Sequence, residues 1–151
     1  MPVVAIALGS NLGDRRAHLA WAIDRLRATL SNLRVSAFLD TEPVEVPDRQ
    51  PRYLNAVVVG ESAAPAEALL ATLRRLEQER GRDRRSVRAA RTLDLDLILY
   101  GDAVIDAPDL EVPHPRFRTR RFVLEPLVSL APDWTDPVTG RTMAELLGQI
   151  P

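Results

Sequence analysis

Two aspartates one residue apart, in the run RTLDLDLILYG at 91–101, are the clearest chemical signal in the chain. The run is β-rich, and side chains alternate along a strand. Asp94 and Asp96 are therefore predicted to share one face, with Leu93, Leu95, Leu97 and Leu99 on the other and Ile98 and Tyr100 continuing the Asp face. Two residues of strand rise separate the carboxylates by roughly 6–7 Å, which suits two ligands on one or two hard cations. Mg²⁺ prefers a few carboxylates completed by water and phosphate oxygens. A solvated polar face would give the same Asp-x-Asp pattern. The apolar continuation of that face argues against it. Two carboxylates there lose hydration and repel one another, and a cation relieves both costs.

Arg74, Arg75, Arg80, Arg82, Arg84, Arg85, Arg88 and Arg91 crowd into the stretch that leads to these aspartates. Guanidinium forks match phosphate oxygens and stay charged at any relevant pH. A cationic loop beside a metal-binding strand is what phosphoryl transfer needs. A nucleic-acid patch is the competing explanation, but no aromatic residue lies between Gly81 and Asp96 to stack on bases. His114, fixed between Pro113 and Pro115 and followed by Arg116, Arg118, Arg120 and Arg121, could donate to a phosphate; a structural His is the alternative. Tyr53 and Asn55 alternate onto one strand face, where an aromatic and an amide can grip a flat heteroaromatic ring, although Tyr53 in the core is the simpler assignment. GSNLGD at 9–14 lacks the spacing of a dinucleotide or P-loop motif and is taken as a strand-to-helix turn.

The elements that must position these residues follow from periodicity. Val3–Leu8 is predicted as a buried strand, 14–30 as an amphipathic helix carrying Leu19, Ile23, Leu26 and Leu30, and Leu33–Leu39 as a second strand after a turn at Asn32. The proline-rich loop 41–52 precedes a strand at Tyr53–Gly60. A second helix starts at Pro65, carries Leu69, Leu70, Leu73 and Leu76, and ends at Gly81. The Asp strand at Thr92–Tyr100 follows the Arg loop. A short hairpin is expected around Pro108-Asp109, a helix from Arg121 to about Leu127, and a further one within 142–150. The order strand, helix, strand, strand, helix, strand predicts an α+β, ferredoxin-like antiparallel sheet with helices packed on one face, plus a C-terminal hairpin and helical additions.

Composition bounds the rest. With 151 residues, 46% of them apolar, the chain suits one compact domain over 1–151. There is no Lys, which excludes Schiff-base and P-loop lysine chemistry, and no Cys, which excludes disulfides, thiolate metal sites and thiol nucleophiles. The short apolar start at 3–8 suits neither a signal segment nor a membrane span, so a cytoplasmic protein without membrane partners is expected.

ALGSNLGDR at the start, TEPV…PRYLNAVV in the middle, then GR…RTLDLDLILYGD and VPHPRF…RFVLEPL…LAP together resemble the 6-hydroxymethyl-7,8-dihydropterin pyrophosphokinase family of folate biosynthesis. The resemblance runs from Val3 to about Asp133, in family order. It implies a ferredoxin-like fold, transfer of the β,γ-diphosphate of ATP to the pterin hydroxymethyl group, two Mg²⁺ ions, small-molecule substrates rather than nucleic acid, and a monomer. By the same resemblance Asp94 and Asp96 match the metal ligands, and Arg82 and Arg91 match loop arginines that assist transfer. Leu70, Glu77, Arg84, Arg88, Leu97, His114 and Arg120 match positions around ATP. Thr41, Pro43, Val44, Tyr53, Asn55 and Phe122 match the pterin pocket, with the ring between Tyr53 and Phe122. Two departures stand out. Ala89-Ala90 replaces the Trp-Gly-Pro common in the family, and Val44, Glu45 and Val46 occupy the region where a Gly usually follows Thr-x-Pro. Neither touches the metal ligands. A non-catalytic pterin- or nucleotide-binding paralogue is the alternative.

Overall fold

A computed structural model describes residues 1–41, 52–81 and 92–151. Strand β1 (Val3–Ser10) leads through a turn to helix α1 (Arg15–Thr29), whose N-cap Asp14 accepts a hydrogen bond from the Ala17 amide at 3.1 Å. Strands β2 (Leu30–Val35), β3 (Leu39–Thr41) and β4 (Tyr53–Ser62) follow, then helix α2 (Ala66–Glu79) and strand β5 (Asp94–Tyr100). The chain ends with the hairpin β6 (Ile105–Ala107) and β7 (Leu110–Val112), a 3₁₀ turn at Phe117–Thr119, and helices α3 (Arg121–Leu130) and α4 (Met143–Gly148). The sheet runs β2-β4-β1-β5 with β3 also on β4, every pairing antiparallel. This is the expected ferredoxin-like α+β sheet.

The sheet is covered on both faces. Leu19, Ile23 and Leu26 of α1 and Leu69, Leu73 and Leu76 of α2 bury Val4, Ile6, Leu8, Val58, Leu93, Leu95 and Leu97. The C-terminal additions do more than decorate this layer. Phe117, Val123, Leu124, Leu127, Met143 and Leu146 build a second core over Ala5, Val57, Val59, Ile98 and Leu99 on the opposite face. Each layer removes its apolar side chains from water, at roughly 25 cal/mol per Å².

Three local expectations are corrected. The predicted strand Leu33–Leu39 is two strands, because Ser36 interrupts it: its amide donates to Val57 O and its hydroxyl accepts from the Val57 amide, both at 2.9 Å. Asn32, with φ of 53°, sits inside β2 at a shift of register rather than in a turn. On β5 the alternation breaks, since Leu97 pairs with Ile6 but Leu99 with Ala5. That bulge turns Ile98 and Leu99 to the same core and sends Tyr100, expected beside the aspartates, to the α1–α2 side. There its hydroxyl donates to Ala64 O. Among the described residues no helix is long and apolar enough to cross a membrane.

Candidate functional site

The open end of the second sheet face carries the candidate site. Directly opposed residues in an antiparallel sheet share a face. Register therefore sets Asp94, Gly9, Asn55 and Leu39 in one row across β5, β1, β4 and β3. The neighbouring rows hold Asp96, Ala7 and Val57 on one side and Tyr53 and Thr41 on the other. With strands about 4.8 Å apart, Asn55 and Asp94 lie about 10 Å from each other across Gly9.

Gly9 is the floor of this row. A Cβ there would stand 3.2 Å from Asn55 Oδ1 and 3.5 Å from Tyr53 Cδ1. Asn55, 6% exposed, donates from Nδ2 to Thr41 Oγ1 at 2.5 Å, which turns its Oδ1 toward the glycine. Phe122, on the first turn of α3, packs at the edge of the core on this same face, and the Arg120 guanidinium lies 5.5 Å from its ring centroid.

The aspartate end is electrostatically tense. Burial first, and the charge of Asp94 second, push the Asp96 carboxyl up to about 7, against the pull of Arg74. Two half-buried carboxylates so arranged hold a divalent cation better than they hold each other's charge. Among the described residues no group of three His, Cys, Asp or Glu side chains converges as a metal cage. Two carboxylates by themselves suit an ion that takes its other ligands from phosphate and water, as Mg²⁺ does.

Asp96 also lines a cleft of about 190 Å³ with Leu70, Arg74, Leu97 and His114, joined by Pro115 and by the turn of the β6–β7 hairpin at Pro108–Glu111. The His114 amide donates to Ile98 O at 2.9 Å, and its Nδ1 accepts from the Arg116 amide at 3.2 Å. The ring proton then sits on Nε2. Burial, followed by Arg120 and Arg116, lowers His114 to about 4, so it is a neutral donor near pH 7.

Glu77 lies fully buried beside the outer edge of β5. Its Oε2 accepts from the Leu95 amide at 2.8 Å and its Oε1 from Arg74 at 2.9 Å, while Arg74 also donates to Leu95 O at 2.9 Å. Arg82, Arg84, Arg88, Arg91, Pro43 and Val44, with Ala89-Ala90, fall outside the described residues. Sequence reasoning missed Gly9, taken as part of a turn, gave the hairpin turn no place in the site, and counted Arg74 only as one of the clustered arginines, without its tie to Leu95. A glycine inside a strand is itself a signal of close approach; the other two needed the tertiary structure.

Residues 5–132 match the model of the family described as 7,8-dihydro-6-hydroxymethylpterin-pyrophosphokinase (HPPK). The chain is 40% identical over 151 residues to the 2-amino-4-hydroxy-6-hydroxymethyldihydropteridine pyrophosphokinase of Pseudomonas aeruginosa, covering 98% of this chain and 91% of the relative. The protein of the same name from Synechocystis is 39% identical over 147 residues, covering 96% and 74%. Among solved structures, Plasmodium falciparum HPPK-DHPS with pteroate superposes with a TM-score of 0.76 at 12% identity, covering 98% of this chain and 42% of that one. The chain thus spans about two fifths of that longer protein, and the likeness speaks for the fold.

Proposed function

The chain belongs to the 7,8-dihydro-6-hydroxymethylpterin-pyrophosphokinase family, and from that premise we propose that it transfers diphosphate from ATP to the hydroxymethyl group of 6-hydroxymethyl-7,8-dihydropterin in folate biosynthesis. The observation that supports this is the row Asn55, Gly9, Asp94, which puts the Asn55 amide and the Asp94 carboxylate on one sheet face with a bare glycine between them.

Asn55 Oδ1 would accept from the amide edge of the pterin, with Tyr53 and Phe122 against its ring and Thr41 fixing the Asn55 amide. The hydroxymethyl group would then extend over Gly9 toward Asp94. Asp94 and Asp96 would hold Mg²⁺, two ions by family resemblance, which when bound neutralise phosphate charge and fix the transferring group. Leu70, Leu97 and His114 line the adjoining cleft and would seat the nucleotide there, with His114 donating from Nε2, and Arg120 would join them by resemblance. The pterin oxygen attacks the β-phosphorus, the bond to the α-phosphate oxygen breaks, and AMP leaves; the hydroxyl proton passes to solvent. Such transition states are loose, so positioning and charge stabilisation suffice without a strong base. Arg82 and Arg91 are proposed to meet charge developing on the phosphates, and Arg84 and Arg88 to bind the nucleotide, by resemblance. Pro43 and Val44 complete the pterin pocket on the same ground. Residues 1–151 are proposed to act as one domain, a cytoplasmic monomer.

An AMP-release assay with ATP, Mg²⁺ and the dihydropterin tests this. One AMP and one pterin diphosphate per turnover are expected. Calorimetric binding of nucleotide and pterin with no AMP formed would give the site to a non-catalytic paralogue instead.

A further inference from the structure

Strand β5 is an edge strand of the sheet. An exposed edge leaves backbone donors and acceptors without partners. Asp94 and Asp96 pair with Gly9 and Ala7 of β1, so the intervening Leu95 turns its N–H and C=O outward. Helix α2 meets both. Glu77 supplies the acceptor for Leu95 N–H, Arg74 supplies the donor for Leu95 O, and the two side chains bond each other. A donor and an acceptor side by side are what a residue of a neighbouring strand would offer. One step along, the His114 amide meets Ile98 O in the same manner. A fully buried carboxylate is costly, and replacing such a pair with apolar residues is often neutral for stability. Stability alone therefore does not account for it.

We propose that Glu77 and Arg74 are positioning residues for the carboxylate pair: they complete the outer edge of β5 at Leu95 and so fix the spacing at which Asp94 and Asp96 meet a divalent cation. This rests on the metal-binding role proposed for the two aspartates. It assigns Glu77, matched by resemblance to the nucleotide's surroundings, a part in metal binding exerted through the backbone of β5.

The test is Mn²⁺ affinity, measured by electron paramagnetic resonance with an α,β-methylene analogue of ATP present. Wild type should bind Mn²⁺ and Asp96→Ala should not. Arg74→Leu, which removes both donors, should weaken Mn²⁺ binding about tenfold or more, the scale at which groups behind metal ligands act. Arg74→Gln keeps an amide donor for Leu95 O and should stay within about threefold of wild type. Glu77→Ala should lose affinity and speed hydrogen exchange at the Leu95 amide. If that variant does not fold, the Arg74 pair decides alone. A role for the Arg74 charge would change affinity equally in the Gln and Leu variants, and equal values there overturn the proposal. Affinities within twofold of wild type in every variant overturn it too, while leaving the metal site intact. Wild type without Mn²⁺ binding, or Asp96→Ala binding normally, would instead remove the metal site and the brace together.

Discussion

Asp136 and Asp96 are the same residue in opposite surroundings. Asp136, fully buried in the C-terminal turn, accepts from Arg118 at 2.5 and 3.0 Å, from the Val138 amide at 3.0 Å and from Thr139 at 2.8 Å. Burial alone would raise its carboxyl, but these donors, Arg118 foremost, hold it below its ordinary value. Asp96 faces another carboxylate across a strand pleat and is pushed upward. The first arrangement is complete within the chain and serves stability. The second keeps its carboxyl raised in spite of Arg74 and Arg120, and a group so perturbed marks a candidate binding site.

Alanine at each position should separate the two roles most sharply. Asp96→Ala is expected to lower turnover at least about a thousandfold, about 4 kcal/mol in the barrier, with a melting temperature equal to or above wild type. Asp136→Ala should instead cost about 3–5 kcal/mol of stability, because Arg118 loses its buried partner. Its turnover, assayed well below the melting temperature, should stay within about twofold. Coincident losses in both assays for both variants would erase the distinction.

A smaller effect is expected at Gly9→Ala. Its φ is not in the left-handed region, so the backbone accepts the methyl, which must then press on Asn55 Oδ1. We expect kcat/KM for the pterin to fall about tenfold, about 1.4 kcal/mol, with nucleotide binding unchanged in calorimetry. Unaltered pterin kinetics would mean the substrate does not cross this row.

The same contrast can be sharpened through a pair of opposite pH slopes. An acid raised in the folded state lowers stability as pH climbs from its ordinary value to its folded one, here from about 4 to about 7 for Asp96. An acid lowered in the folded state gives stability that is full above its ordinary range and lost as pH falls below it, as for Asp136. Urea unfolding of Asp96→Asn should therefore flatten the decline between pH 4 and 7. Asp136→Asn should flatten the decline on the acid side. Parallel profiles for the two variants would show that burial alone, not partnership, governs both.

Local signals carried much of this architecture. The Leu93–Leu97 alternation correctly placed Asp94 and Asp96 on one face, and the leucine stripes of α1 and α2 gave those helices to within about one residue. What failed was decided at long range. The bulge that diverts Tyr100 depends on how β5 lies against β1, and Ser36 ends a strand only because Val57 stands beside it. The second core needs residues 117–146 folded back over the sheet, and the tie between Arg118 and Asp136 spans a turn that periodicity does not reveal. Asn55 and Tyr53 suggested a ring site from their strand alone, yet Gly9 joined it only through register.

The row through Gly9 also has a bearing on how such a chain can diverge. Reach between Asn55 at one end and Asp94 at the other is a count of strands, and backbone hydrogen bonding keeps that count rigid. Substitutions elsewhere in the chain do not stretch that gauge. Tempo and tightness are then free to drift while the chemistry keeps its dimensions.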